Sequence, residues 1–385
     1  MFYYTGIAIA FFLALLLLSK KNKTLADKIL VCWIIAMGIH LSLYSLRFVA
    51  NDMRFSFLLG VEIPFPLLHG PFLYLYTAAM TNQLPANKKL GLLHFITPLL
   101  SLLMFSKFFL LTAAQKVEVF KNEGAGYEIP VTINLIAIYL SGVFYVIWCS
   151  ILLRKHRKNI ADEFSNTDKI DLNWLRYLVY GIGVVWLVVL IIQKDEWIFA
   201  TVVLFILLLG FFGIKQVGIF THRSQLIAES DNERDIEVEE ILPLTAEPVL
   251  NEIIAEEPIT EKKKYLKSGL TEEQAEKILI QLNYLMEKER VYTESEITLT
   301  ELAARLNVHP NYLSQVINEK EETNFYDYIN TLRIEEFKKL AALPENKKYT
   351  LLSLAFECGF NSKSSFNRYF KKVAGTSPSE FMRSL

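Results

Sequence analysis

The sequence predicts an all-α protein in which a seven-helix transmembrane bundle is followed by a cytoplasmic tandem helix-turn-helix domain. Apolar stretches recur through residues 1–223, and a membrane-spanning helix needs about 20 apolar residues. Amphipathic helical periodicity replaces them in residues 263–385. An acidic linker, residues 224–262, lies between the two parts. The chain as a whole is 52% apolar with a net charge of −1, so only the distribution along the chain is informative.

Seven apolar stretches are long enough, or nearly so, to cross a bilayer. Pro64, Pro66 and Pro71 interrupt the third stretch, and a membrane helix tolerates proline when its neighbours satisfy the freed carbonyl groups. The first stretch is predicted to be a retained span, because it lacks the basic residues that begin a cleavable signal peptide. The predicted spans are residues 2–19, 29–48, 57–80, 90–111, 130–153, 174–193 and 197–214.

Basic residues fall in alternate loops between these stretches, which predicts the orientation of the bundle. Loops rich in Lys and Arg face the cytoplasm, and the first, third and fifth loops are the rich ones. Seven spans then place the N-terminus outside and the C-terminus inside. We therefore expect a multi-pass protein of the inner (cytoplasmic) membrane. The basic residues are Lys20, Lys21, Lys23, Lys28, Lys88, Lys89, Arg154, Lys155, Arg157 and Lys158.

Three ionisable residues lie within or beside the predicted spans and form a candidate signal site. They are His40, Glu62 and His69. An ionisable group in lipid is costly and is therefore a functional candidate. The alternative is that these groups only pair with one another between packed helices.

The linker is strongly acidic. Residues 229–261 hold twelve Asp and Glu against the single Arg234, and such a stretch cannot bury enough apolar surface to fold alone. It is predicted to be a tether. A second interpretation is an acidic mimic of DNA that competes for the basic reader.

The first helix-turn-helix unit is predicted at residues 297–319. Thr298 and Glu301 have the spacing of a capping box. Residues 307–309 turn the chain, and Pro310 suits the first turn of a second helix. The exposed face of that helix is expected to present amide and hydroxyl groups to base edges.

The second unit is predicted at residues 350–374, after a long connecting helix that begins near Phe325. Gly359 suits the left-handed conformation that ends helices. Asn361 or Ser362 is expected to cap the next helix, whose other face is polar and basic.

Three consecutive segments resemble the AraC/XylS family of transcription regulators: LAARLNVHPNYLSQVIN, NFYDYINTLRIEEFKKL and ECGFNSKSSFNRYFKKVAGTSPSEF. The resemblance covers residues 290–385, and the apolar front resembles the membrane-embedded members of that family. It implies that one monomer places two reading helices in successive major grooves on one face of DNA. It suggests as base-edge positions Asn311, Ser314 and Gln315 in the first helix, and Lys363, Ser364, Asn367 and Arg368 in the second.

The two units differ in charge. Residues 297–323 hold two basic residues against four glutamates, whereas residues 347–385 hold seven Lys or Arg against two. Phosphate attraction supplies much of the affinity for DNA. The second unit is therefore expected to provide most charge-driven binding, with Lys371 and Lys372 at the end of its reading helix as phosphate contacts.

Together these patterns predict a membrane-bound, sequence-specific transcription regulator that couples a signal sensed in the membrane to gene control. The alternative is a membrane transporter or receptor with an attached regulatory helix-turn-helix module. An enzyme is not expected, because no catalytic or metal-ligand motif such as HExxH is present, and no metal or cofactor is predicted. The expected partners are double-stranded DNA, the lipid bilayer, a signal ligand or membrane partner, a second copy of the chain and RNA polymerase.

Overall fold

The structure is a computed structural model that describes residues 2–49, 53–122, 124–167, 170, 172–212 and 270–384. The described elements are helices, with one isolated bridge between Phe164 and Thr298. The chain divides into a first unit, Met1–His156 with Leu172–Glu229, and a second unit, Arg157–Asp171 with Ser230–Leu385. The predicted acidic linker, residues 224–262, lies outside the described residues, as do the last two residues of the seventh predicted span.

Ten helices are described in the part of the chain that precedes residue 213, and α8 ends among residues of the second unit. They are α1 (Phe2–Ser19), α2 (Leu25–Val49), α3 (Phe65–Met80), α4 (Lys88–Leu93), α5 (Ile96–Met104), α6 (Ser106–Phe109), α7 (Ala113–Lys121), α8 (Glu128–Glu163), α9 (Asn173–Ile191) and α10 (Asp195–Phe212). A 3-10 turn at Met53–Leu58 precedes α3.

Among the described residues, four helices are long and apolar enough to cross a membrane, rather than the seven predicted. These are α8, α9, α10 and the Leu25–Leu46 part of α2. Only 17% of the apolar window of α8 is buried within the protein, so most of its apolar surface is exposed. The helices Tyr3–Ser19 and Lys89–Met104 are apolar but shorter.

The third and fourth predicted spans are not continuous helices. Residues 57–80 form a turn followed by α3, which has 16 residues and begins directly after Pro64. The stretch from 90 to 111 is divided among α4, α5 and α6. Pro98 accounts for the first division, because a proline ring clashes with the carbonyl group four residues earlier, and α4 ends just before that residue, His94.

The core of the first unit is formed where α2 meets α1, α3 and α10. Trp33 and Leu41 of α2 are fully buried there, and Trp33 packs against Tyr76 of α3 and Phe205 of α10. Small residues allow close approach: a Cβ atom at Gly6 would lie 2.5 Å from a methyl group of Val203. Close approach of helices through small residues is typical of helices that pack within a lipid bilayer.

Seven α-helices are described in the second unit from residue 270 onward. They are α11 (Glu272–Tyr284), α12 (Leu299–Arg305), α13 (Pro310–Lys320), α14 (Phe325–Ala342), α15 (Leu351–Glu357), α16 (Lys363–Ala374) and α17 (Pro378–Ser384). The first half of α14 joins a core with α11, α12 and α13. Its second half joins another core with α15, α16 and α17. The long helix α14 is therefore shared by two small helical units.

Candidate nucleic-acid interface and membrane cavity

The turn between α12 and α13 is set by a short run of backbone hydrogen bonds. Asn307 adopts the left-handed conformation, with φ of 53°, and the Val308 amide donates to the Ala303 carbonyl at 3.0 Å. His309 then caps α13, because its Nδ1 accepts from the Asn311 amide at 3.2 Å. Pro310 follows as the first residue of α13, as predicted. These contacts hold α13 across α12 as the second helix of a helix-turn-helix.

The turn between α15 and α16 requires glycine. Gly359 has φ of 94°, and a Cβ atom there would lie 2.7 Å from the Tyr292 carbonyl oxygen and 2.8 Å from Arg333 Nε. Ser362 provides the cap of α16, since its hydroxyl accepts from the Ser365 amide at 3.1 Å. The sequence predicted either Asn361 or Ser362 as this cap, and in the structure the cap is Ser362.

The three predicted base-edge residues of α13 are not equally accessible. Asn311 is exposed and Ser314 is half-buried. Gln315 is only 7% exposed, and its amide lies along the helix, where it donates to Glu319 at 3.1 Å. The prediction that Gln315 stands on the open face with Asn311 is therefore not met by this structure.

The predicted positions of α16 all lie on one exposed surface. Tyr369 and Phe370 bury the opposite face of the helix, which turns the polar side outward. Two of the basic side chains have partners within the domain. Arg368 donates to the Tyr326 hydroxyl at 3.3 Å, and Lys372 forms an ion pair with Asp327 at 2.6 Å. The exposed residues are Lys363, Ser364, Asn367, Arg368, Lys371 and Lys372.

A buried arginine lies behind the two helix-turn-helix units. Arg333 of α14 is 1% exposed, and its guanidinium donates to the backbone carbonyl oxygens of Tyr292 at 2.6 Å and Glu294 at 2.7 Å. Burial lowers the pKa of Arg333 to about 10, so the group remains protonated at neutral pH. A buried charge must be well hydrogen-bonded to be tolerated, and these carbonyl groups provide part of that solvation.

The rest of the solvation comes from a distant part of the sequence. We call residues 157–171 the docking segment; they belong to the second unit. The Ser165 carbonyl accepts from Arg333 at 3.4 Å and from Asn330 at 2.9 Å. The Ser165 hydroxyl accepts from Arg333 at 3.3 Å. Ser165 and Asn330 are each 1% exposed, so this contact excludes water.

The docking segment also contacts the beginning of α12. Phe164 pairs with Thr298 in an antiparallel bridge, and the Ser165 amide donates to the Ile297 carbonyl at 3.3 Å. The Thr300 hydroxyl donates to the Glu163 carboxylate at 2.6 Å. Nothing in the sequence indicated this contact, because the partners are more than 130 residues apart and form no local pattern.

In the first unit, the three predicted ionisable residues line one cavity. Its volume is about 660 Å³, and His40, Glu62 and His69 are all in its wall. The Trp33 indole N–H donates to His69 Nδ1 at 3.3 Å, and His69 Nε2 is 3.1 Å from His40 Nδ1. The sequence singled out the two histidines but not Trp33, which looked like an ordinary apolar residue of a span.

Two helix-turn-helix units on a shared helix, with a polar and basic face on the second reading helix, define a DNA-binding domain of transcription regulators. A family model described as a helix-turn-helix domain matches residues 302–384. The C-terminal region of the chain is accordingly an AraC-type helix-turn-helix domain.

Relatives with curated names match the same region. The chain is 31% identical over 88 residues to the uncharacterized HTH-type transcriptional regulator YtdP of Bacillus subtilis, a match of 23% of this chain and 11% of the relative. It is 34% identical over 91 residues to the uncharacterized HTH-type transcriptional regulator YijO of Escherichia coli (23% and 30%). It is 26% identical over 91 residues to the Msm operon regulatory protein of Streptococcus mutans (24% and 32%). The chain thus spans at most 32% of these three relatives.

Proposed function

We propose that the protein is a membrane-bound, sequence-specific transcription regulator that couples a signal perceived by the first unit to DNA binding by the second. One observation supports the coupling between the first unit and the DNA-binding domain. The docking segment comprises the last turns of α8 and the residues that follow it before α9, and both helices are of membrane length. Ser165 within this segment is buried against α14 of the DNA-binding domain. A change in the helices that flank this segment therefore has a direct covalent route to the domain.

The helix lengths support a cytoplasmic location for the DNA-binding domain. Two candidate spans, α9 and α10, follow the docking segment. Two crossings return the chain to the side from which it started, which is the side of the docking segment. That segment includes Arg157 and Lys158, whose charges favour the cytoplasm. The orientation of α9 and α10 does not depend on the total of seven spans.

Reporter fusions test the orientation. A reporter placed after residue 223 should be active in the cytoplasm, and one placed near Gly124 should be active outside. A reporter after residue 223 that is active only outside would separate the membrane part from DNA and refute the proposal.

DNA recognition is assigned to the exposed face of α16 together with Asn311 and Ser314 of α13. Lys363, Asn367 and Arg368 can reach base edges, whereas Lys371 and Lys372 suit phosphates. Lys372 forms an ion pair with Asp327, and a phosphate group would compete with Asp327 for this side chain. The full-length protein in lipid nanodiscs should bind one set of duplexes more tightly than random DNA at matched salt.

The coupling is tested by Ser165→Pro in the full-length protein. Proline removes the amide that donates to Ile297 and the hydroxyl that accepts from Arg333. Transcription from a target promoter should change while protein abundance and the DNA affinity of the purified protein stay constant. Ser165→Ala is the matched control, because it keeps the amide and the carbonyl group. Normal control of the promoter in both variants would show that the docking segment is only structural.

The alternative, a transporter with a regulatory module, gains some support from the broken helices of the first unit. Interrupted helices beside a central cavity are typical of transporters, and α4 to α6 are interrupted. Accumulation of a ligand across the membrane by the protein, with promoter control unaffected by that ligand, would favour this reading.

A further inference from the structure

Two kinds of contact hold the second reading helix, α16, on the long helix α14. Phe337 of α14 packs against Phe366 and Phe370 of α16, with ring centroids 4.7 Å and 5.6 Å apart. Apolar attraction is not directional, so this packing by itself leaves α16 some freedom to turn or slide on α14. A polar contact nearer the start of α14 supplies the direction, because hydrogen bonds weaken steeply when they are misaligned.

We call this polar contact the Asp327 contact; it consists of Asp327 of α14 with Tyr369 and Lys372 of α16. The Tyr369 hydroxyl donates to the Asp327 main-chain carbonyl at 2.8 Å and is 3.1 Å from Asp327 Oδ1. Lys372 Nζ forms an ion pair with the same carboxylate oxygen at 2.6 Å. Residues three apart are neighbours on a helix surface. One face of α16 is therefore bonded at two points to a single residue of α14.

The Tyr369 side chain has little freedom in this contact. Its residue is 3% exposed, and its ring meets the edge of the Tyr326 ring at 5.6 Å. Its hydroxyl also lies 3.3 Å from the Thr331 hydroxyl. Burial raises the pKa of Tyr369, so the hydroxyl keeps the proton that it donates to Asp327. A buried donor held in this way fixes where α16 lies against α14.

The first turns of α14, where Asp327 lies, also hold the first reading helix, α13. Phe325 and Ile329 of these turns are buried and belong to the same apolar core as Leu313 and Ile317 of α13. The turns that position α13 are thus the turns to which α16 is bonded. The Asp327 contact therefore relates the two reading helices to one another.

The relation between the reading helices matters because their sites on a duplex are rigidly spaced. One added base pair moves the second site by about 3.4 Å along the helix axis. It also rotates that site by about 34°, since B-DNA has about 10.5 base pairs per turn. Two reading helices in a fixed relation cannot follow this change without losing base contacts at one site.

We propose that Asp327 and Tyr369 are positioning residues for DNA recognition: their contact fixes α16 relative to α13 and so determines which spacing between two base-contact sites the protein accepts. This inference rests on the proposed function, in which α13 and α16 read DNA. It requires neither residue to touch a base.

A spacer series tests the proposal. Binding-site selection with the full-length protein in lipid nanodiscs first identifies a duplex with two base-contact sites. Duplexes with one base pair added to the spacer, or removed from it, are then titrated at matched salt. The native protein should prefer its own spacing by at least about tenfold, the contribution of one good base contact. No preference for any duplex over random DNA would contradict the proposed function. Selection of a single site, or equal binding at every spacing, would contradict the inference alone.

Two variants remove the contact from opposite sides. Tyr369→Phe keeps the ring but loses the hydroxyl, and Asp327→Ala loses the carboxylate. Each should lower the spacing preference at least about threefold, the contribution of one hydrogen bond. Asp327→Asn keeps an oxygen acceptor for Tyr369 and should retain more of the preference than Asp327→Ala. Glu273→Ala is the matched control, because it removes a carboxylate from another ion pair of the domain, with Lys277 at 2.7 Å.

The spacing preference separates positioning from stability. A loss of stability alone lowers the affinity for every duplex by the same factor and leaves the ratio between spacings unchanged. The thermal unfolding midpoint of each variant, measured in parallel, shows whether the protein is folded, and one folded variant is sufficient for the test. A native spacing preference in folded Tyr369→Phe or folded Asp327→Ala overturns the proposal, as does an equal loss of preference in Glu273→Ala.

Discussion

Replacing Arg333 by methionine should destabilise the DNA-binding domain strongly. Methionine keeps much of the length of the buried side chain but donates no hydrogen bond. The backbone carbonyl groups of Tyr292, Glu294 and Ser165 would each lose the guanidinium. A buried polar group left unsatisfied costs about 1–3 kcal/mol. The Ser165 carbonyl keeps its hydrogen bond from Asn330, so the other two carbonyl groups cost about 2–6 kcal/mol, from which removal of the buried charge recovers a part.

The loss of stability can be measured as an increase in the local opening of the DNA-binding domain. A loss of about 3 kcal/mol raises the equilibrium constant for opening by about 100-fold, because each 1.4 kcal/mol is tenfold. Hydrogen exchange with mass spectrometry on the full-length protein, over peptides from 291 to 342, measures this protection directly. Arg305→Met is the control. Arg305 pairs with Glu294 at 2.6 Å on the surface, and a surface pair contributes about 1 kcal/mol or less.

The hydrogen-exchange result shows whether Arg333 is needed to hold the docking segment on the domain. A fall in protection of about 100-fold around α14, with little change for Arg305→Met, agrees with a structural cation that joins the docking segment to the domain. Protection within threefold of the native protein would mean that the carbonyl groups find other donors. Arg333 would then not be what holds the docking segment on the domain.

Four further substitutions and the reactivity of one cysteine thiol test the structure of the DNA-binding domain. Arg368→Ala should lower the affinity for the specific duplex by about 1–3 kcal/mol and should affect binding to random DNA less. Lys371→Ala should weaken binding to both kinds of DNA and reduce the salt dependence of binding by about one ion. Equal loss of specificity in titrations of the two variants would contradict the assignment of Arg368 to bases and Lys371 to phosphates. Asn311→Ala should change sequence preference in a binding-site selection, while Gln315→Ala, at a position 7% exposed, should instead lower the thermal unfolding midpoint. Burial raises the pKa of the Cys358 thiol to about 12, so maleimide should label it at pH 8 only after unfolding, and rapid labelling of the folded protein would refute its burial.

Local patterns in the sequence were sufficient for the helix-turn-helix units. The turn at Asn307 with Pro310 and the turn at Gly359 each depend on the conformational preference of one or two residues. The apolar face of α16 follows from helical periodicity, so the exposed position of Lys363, Arg368 and their neighbours could be predicted. Such features are encoded within about ten residues of chain, and no distant contact is needed to establish them.

For the first unit, the sequence predicted the apolar composition of the helices but not where each helix begins and ends. Hydropathy identifies the apolar stretches but does not show that α4 ends at Leu93, ahead of Pro98, or that α3 begins after Pro64. A hydropathy average over about twenty residues gives a proline the weight of one residue, whereas a proline inside a helix removes a backbone hydrogen bond and can end the helix. The expected seven spans are for this reason four membrane-length helices and several shorter ones among the described residues.

By itself the sequence determined the helical class, the acidic segment between two unlike halves, the DNA-binding domain and the candidates His40, Glu62 and His69. Only the tertiary structure decided that these three residues line one cavity, that Trp33 donates to His69, that Gln315 is buried, and that Ser165 accepts from Arg333. The physical reason is the distance along the chain between the groups that interact. Helix caps, turns and amphipathic faces arise from neighbours along the chain, whereas a cavity and a buried guanidinium are defined by groups that only folding brings together.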